Sequence, residues 1–167
     1  MKQLLRRLIG SKAITPTGQD FSVRYQHDCS NINWQQLFER LVDDDLDNGR
    51  SVSELEMSFV NSEHVIFAVG NEAEAVVGET VVGDAIVGMA RALSDNVCNA
   101  YIVDVWTDSR YRNRGIGSRL VNELCEKVSG QHVYLYTENA QSFYQRLGFQ
   151  RYGSGYAKIS GNWLNRE

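Results

Sequence analysis

The run RNRGIGSRL, Arg112 to Leu120, stands between an apolar stretch, AYIVDVWT, and a segment, SRLVNELCEKV, whose Leu120, Val121, Leu124 and Val128 recur at helical spacing. Strand, glycine turn and helix start therefore follow one another without a break. Gly115 and Gly117 let the main chain bend tightly and leave no side chain in the way, so successive N–H groups can point at one anion. The helix N-terminus adds partial positive charge. Arg110, Arg112, Arg114 and Arg119 surround the turn, four of the chain's 17 basic residues within ten positions of a protein whose net charge is −4. A pyrophosphate suits such a turn. A plain strand-to-helix turn with solvated arginines satisfies the same pattern.

Two common nucleotide loops do not fit. The dinucleotide fingerprint needs a third glycine three residues after Gly117, and the chain has Leu120 there. A Walker loop needs Gly-Lys-Ser/Thr, and Gly117 is followed by Ser118 and Arg119.

Around this turn the chain reads as strands and helices in succession. FSVRYQ, residues 21–26, alternates apolar and polar residues as a strand does. NINWQQLFERLVDDDL carries Ile32, Leu37, Phe38, Leu41 and Val42 on one helical face and ends in acids. SVSELEMSFVNS reads as a second, short helix, with Ser53 and Glu56 as its capping box and Leu55 and Phe59 facing inward. HVIFAVG, DAIVGMARALSD and AYIVDVWTD read as three strands, with NEAEAVVGETVV as an extended hairpin connection between the first two. A helix spans about Gly115 to Ser129. HVYLYT is a strand, NAQSFYQRLGF a short helix ended by Gly148, and QRYGSGYAKIS one or two closing strands. No repeat or linker interrupts this order, so residues 21–167 form one α/β (α+β) sheet domain with helices on both faces.

Residues 1–20 read as a basic N-terminal extension, because Lys2, Arg6, Arg7 and Lys12 precede the first acid, Asp20. Leu4, Leu5, Leu8 and Ile9 share a helical face there. Arg6 and Arg7 split the apolar run and no small-residue cleavage site follows, which argues against a secretory signal and fits a terminal helix, with membrane-surface contact or organelle targeting as the alternatives.

The totals narrow the partners. With 43% hydrophobic and 23% charged residues and a single proline, the chain has the composition of a folded domain. No apolar run approaches the roughly 20 residues that a membrane span needs. A net charge of −4 argues against nucleic acid and suits a cationic acceptor. Cys29, Cys98 and Cys125 lack a CxxC pairing, which fits reduced thiols and a cytoplasmic setting; His27, His64 and His132 are scattered, so no metal site is expected.

RNRGIG fits the pattern Arg/Gln-x-x-Gly-x-Gly/Ala of the GNAT superfamily of acyl-CoA-dependent N-acetyltransferases, and FYQRLGF, Phe143 to Phe149, resembles that family's second signature. VDVWTDSRYRNRGIG resembles its central strand and loop, and the likeness in element order extends from about Phe21 to Ile159. The resemblance implies a mixed, mostly antiparallel sheet splayed in the middle, with AYIVDVWT and HVYLYT moving apart to admit the pantetheine arm of acetyl-CoA. It implies that main-chain groups of Val105, Trp106 and Thr107 hold the acetyl end, and that the amides of Arg112, Asn113, Arg114, Gly115, Ile116, Gly117 and Ser118 hold the pyrophosphate. Two positions depart from the pattern. Thr137 stands where many members carry an asparagine, leaving Asn139 as the nearby cofactor contact, and Ser109 stands where proline is common.

For transfer to an amine, the resemblance implies Tyr144 as the general acid at the leaving sulfur, with packing beside Phe143 as its plain alternative. Asp104 is the candidate base, directly or through water. In a regular strand Ile102, Asp104 and Trp106 share a face, and an acid between two large apolar residues has its pKa raised toward a useful value. A structural aspartate satisfies the same sequence. Cys98 or Cys125 as an acetyl-accepting nucleophile lacks a neighbouring histidine, so direct transfer in a ternary complex is the expected route. The expected acceptor is a small-molecule or peptide primary amine in a groove bordered by the two early helices. There Asp43, Asp44, Asp45 and Asp47 form either an acceptor fringe or a solvated helix end, and Trp34, Phe38 and Phe59 are core or groove wall. A non-catalytic acyl-CoA-binding regulatory module is the competing class. Monomer and homodimer are both left open.

Overall fold

In HVIFAVG, odd and even positions are both apolar, which requires a strand covered on its two faces. The computed structural model describes residues 21–76 and 79–158, those of 72–82 by backbone alone, and it gives that strand two separate cores. Val65, Phe67 and Val69 join a cluster with Ile86, Met89 and Trp106 beneath two helices, α1 (Trp34–Asp43) and α2 (Val52–Val60). Ile66 and Ala68 face the other way, into a cluster with Val87, Ala90 and Ile102 that a third helix, α3 (Ile116–Lys127), covers with Ile116, Leu120, Val121 and Leu124. Trp34, Phe38 and Phe59 all belong to the first core, so they are packing residues rather than groove wall.

The sheet has five strands in sequence order: β1 (Val23–Gln26), β2 (His64–Val76), β3 (Glu79–Ser94), β4 (Asn99–Thr107) and β5 (His132–Leu135). All neighbours are antiparallel except β4 and β5, which α3 joins as a parallel pair. The segment NEAEAVVGETVV is the extended hairpin connection expected of it: its residues 71–76 and 79–82 continue the antiparallel β2–β3 ladder out to Val76 and Glu79. The expected closing strand is absent among the described residues, since residues 151–158 carry no regular structure. The basic extension 1–20 and residues 159–167 lie outside the described residues.

Local chemistry sets the helix ends. The Asn33 side chain accepts from the Gln36 N–H at the start of α1. The capping box of α2 is formed by Ser51 and Glu54, not by Ser53 and Glu56. The S-x-x-E pattern occurs twice in SVSELE, and the earlier copy adds helical residues before Leu55 and Phe59, which are buried as expected. The last short helix, α4 (Gln141–Arg146), stops at Gly148 with φ +89°. There the N–H of Phe149 donates to the Tyr144 carbonyl and that of Gly148 to the Gln145 carbonyl, so the glycine end fixes Tyr144 in place.

Candidate active site

The parallel ladder between β4 and β5 runs only from Asn99 with His132 to Ile102 with Leu135. β4 continues to Thr107 without that neighbour, and the gap opens a cleft of about 400 Å³. Its walls are Val105, Trp106 and Thr107 from β4, Arg112, Asn113, Gly115, Ile116, Gly117 and Ser118 from the glycine turn, and Ala140, Phe143, Tyr144 and Arg146 from the α4 region, with Leu46 beyond them. The splay implied by the family resemblance is therefore present, and both signatures meet across it.

The turn is built as the sequence requires. Gly115 sits at φ +81° and Asn113 at +62°, a left-handed conformation that costs a residue with a Cβ roughly 1–2 kcal/mol. The first intrahelical bond is from the Arg119 N–H to the Gly115 carbonyl, so the N–H groups of Ile116, Gly117 and Ser118 precede the ladder and have no intrahelical acceptor. At Gly117 a Cβ would lie 3.2 Å from Thr107 Oγ1 and 3.6 Å from Phe143 Cζ. Main-chain donors, the absent Cβ and the volume of the cleft together fit a diphosphate on an extended arm.

Acid–base pairs lock the loop between β4 and α3. Asp108, with a side chain 4% exposed, accepts from Arg40 Nη1 at 3.0 Å, from Arg110 Nε at 2.9 Å and from the Arg110 N–H at 3.0 Å. Burial pushes its carboxyl up, but the bonds from Arg110 and the charges of Arg110 and Arg40 outweigh this and hold it below the usual carboxylate range. Asp44, at the end of α1, accepts from Trp106 Nε1 at 2.9 Å, the Ser109 N–H at 3.0 Å and Arg112 Nη2 at 3.2 Å. The acid run is therefore not all solvated: Asp44 pins the helix to the cleft wall.

Tyr144 lines the cleft with its ring edge-on to Phe143 and Phe149, at 4.9 and 5.7 Å between centroids. Burial pushes its phenol above the ordinary value, and its hydroxyl has no hydrogen-bond partner among the described residues. The hydroxyl therefore holds its proton at neutral pH and can give it to a group in the cleft.

Asp104 departs from expectation. β3 and β4 change register between Arg91, paired with Asp104, and Ala92, paired with Ile102, so Val103 is an extra residue in β4. The bulge puts Ile102 in the α3 core and Trp106 in the α1–α2 core, and the two do not flank Asp104 on one face. Its Oδ2 instead accepts from Arg91 Nε at 2.7 Å and Arg50 Nη1 at 3.0 Å. A carboxylate claimed by two guanidiniums is a wall residue, not an acid in an apolar pocket.

Two further cofactor candidates are not among the side chains that line the cleft, although Arg114 stands in the turn between Asn113 and Gly115, which do. Arg114 stacks over Phe21 and Tyr111, at 5.0 and 5.4 Å from the ring centroids, and Asn139 is outside the cleft lining. Thr137 Oγ1 accepts from the Ala140 N–H, so it shapes the approach to α4. Cys98 and Cys125 do not line the cleft, and burial pushes the Cys125 thiol up. Leu46, Ala140, Phe143 and Arg146 are wall residues that sequence patterns did not single out as site residues. Among the described residues, no cluster of three metal-ligating side chains occurs.

The chain is 30% identical over 126 residues to the histone acetyltransferase TAP1 of Glycine max, a stretch covering 73% of this chain and 48% of that protein. It is 34% identical over 84 residues to GCN5-related N-acetyltransferase 2, chloroplastic, of Arabidopsis thaliana, covering 48% of this chain and 33% of that protein. The chain thus spans a third to a half of the length of these relatives. In structure it resembles a GNAT family acetyltransferase from Streptococcus pneumoniae TIGR4, with a TM-score of 0.61 and 21% identity over 84% of this chain and 98% of the other. The sequence profile of the Acetyltransferase (GNAT) family matches residues 28–149, and with the splayed sheet and glycine turn in place, the chain belongs to that family.

Proposed function

We propose that this protein transfers an acetyl group from acetyl-CoA to a primary amine by direct attack in a ternary complex. The observation that carries this reading is the cleft at the splay of β4 from β5, which the glycine turn, the end of β4 and Tyr144 line together. Acetyl-CoA, when bound, supplies the acetyl group already activated as a thioester. The N–H groups of Ile116, Gly117 and Ser118 hold the diphosphate, and the β4 main chain from Val105 to Thr107 holds the arm and its acyl end. Tyr144 keeps a proton ready for the sulfur.

The chain does not need Asp104 as a base in this reading. A lysine-like amine costs about 4–5 kcal/mol to hold neutral at pH 7, and that cost falls by about 1.4 kcal/mol for each unit of rising pH. Turnover therefore rises with pH until the acceptor is deprotonated.

The test is free-thiol release from acetyl-CoA across a panel of amines, run beside thermal stabilisation by coenzyme A, with mass spectrometry of the products. Amine-dependent thiol release with an acetylated product supports the reading. Stabilisation with no turnover on any amine would make the chain an acyl-CoA-binding module, and the lack of both would remove the cofactor assignment too.

A further inference from the structure

Beside the cofactor cleft lies a second, smaller cavity of about 30 Å³, which shares Leu46, Val105 and Trp106 with it and continues past Asn48, Arg50 and Asp104. At that volume it has room for about two water-sized groups, close to the two oxygens of a carboxylate. Its outer wall is the α1–α2 connection, which is tied to β4 and the loop after it by side-chain bonds. Asp45, Asn48 and Gly49 are all at positive φ, Asp44 is bound to Trp106, Ser109 and Arg112, and Arg50 is bound to Asp104.

The charge inside this wall is lopsided. Arg50, Arg91 and Asp104 have side chains only 10–11% exposed, and two guanidiniums face one carboxylate. Two of the neighbouring acids are engaged elsewhere: Asp44 is matched by Arg112, and the Asp47 carboxylate accepts from the Gly49 N–H. Arg50 Nε donates to the Asp47 carbonyl, and Nη1 donates to Ser58 Oγ and Asp104 Oδ2. Its Nη2 has no acceptor among the described residues. A buried planar cation with an uncommitted end, in a small cavity opening off the cofactor cleft, matches a planar anion.

We propose that the acceptor is an amine that also bears a carboxylate, and that Arg50 binds that carboxylate in the small cavity while the amine points back toward β4. The proposal rests on the acetyl-transfer reading above and names its substrate class. Asp104 then serves to orient Arg50 and Arg91, and the cavity disfavours polyamines, whose second cation would meet the excess positive charge.

The test compares acceptors with and without the carboxylate, each rate corrected for the fraction of neutral amine at the assay pH: L-amino acids against their α-amides, and β-alanine against propylamine. The expected result is a kcat/KM roughly 10- to 100-fold higher for the carboxylate member of each pair, the range set by one charge-assisted hydrogen bond. Arg50→Gln should remove that preference by raising KM for the carboxylate member, and Arg50→Lys should keep part of it. Thermal stabilisation of the wild-type protein by the carboxylate acceptors, and not by the matched amides or propylamine, is a readout that needs no turnover and no variant. Equal or better use of the uncharged-tail amines or of polyamines overturns the proposal and leaves acetyl transfer standing. A preference that survives in folded Arg50→Gln overturns the role of Arg50. Thiol release with no amine at all would mean the acetyl-transfer reading itself had failed.

Discussion

Asp104 and Ile102, two residues apart on β4, face opposite sides of the sheet, because the bulge at Val103 inserts one residue between their pairings with Arg91 and Ala92. A regular strand would have put both on one face. The bulge delivers Asp104 to Arg50 and Arg91 under α2, where Arg91 also lies over the Phe59 ring at 5.6 Å. Asp104→Asn leaves two buried guanidiniums facing a neutral group. It should lower the unfolding free energy by about 3–5 kcal/mol, read by urea denaturation.

Gly117 tests the cofactor cradle. A valine there brings a Cβ to 3.2 Å from Thr107 Oγ1 and fills the mouth of the turn. Gly117→Val should abolish stabilisation by coenzyme A in a thermal-shift assay while the far-UV circular dichroism stays native. Gly115→Ala has open space but the wrong φ, so it should lower stability by about 1–2 kcal/mol and weaken coenzyme A less.

Tyr144→Phe keeps the ring contacts with Phe143 and Phe149 and removes only the hydroxyl. Coenzyme A affinity should be unchanged and kcat should fall by roughly 100-fold or more, the usual share of a general acid. Because burial raises the phenol above 10, the wild-type rate should climb through neutral pH as the acceptor loses its proton. It should fall only in the strongly alkaline range, and that fall should be missing in the variant.

The Asp108–Arg40 pair ties α1 to the loop before α3. The native carboxyl is held below its unfolded value, so its contribution is complete above the unfolded value of about 3.9 and is lost as pH falls through the native one. Asp108→Asn should be less stable than wild type at pH 7 by about 3–5 kcal/mol, and the gap should close as the pH is lowered below about 4 in an acid-unfolding series.

Periodicity made much of this molecule legible. The four helices and the strand cores follow from spacing, and the glycine turn shows through its residues alone. The bulge was not legible, since no side chain in YIVDVWT marks the point where the alternation breaks. Asp44 was hidden for a different reason. In a row of acids nothing local distinguishes the one that three partners 62 to 68 residues away will claim. The capping box failed on a tie, two S-x-x-E copies two residues apart, which only the extent of the helix resolves. Arg50 carries no motif, and its place beside Asp104 comes from the positive-φ turn that precedes it.

The parallel pairing of β4 with β5 also bears on how the molecule assembles. β2, β3 and β4 follow one another as hairpins and can zip from local turns, whereas β5 reaches β4 only after the whole of α3 has been laid across the sheet. The cleft mouth depends on that last step. In refolding, protection of the β2–β4 amides is therefore expected to precede the ability to capture coenzyme A, and the interval between the two measures how long docking of α3 and β5 takes.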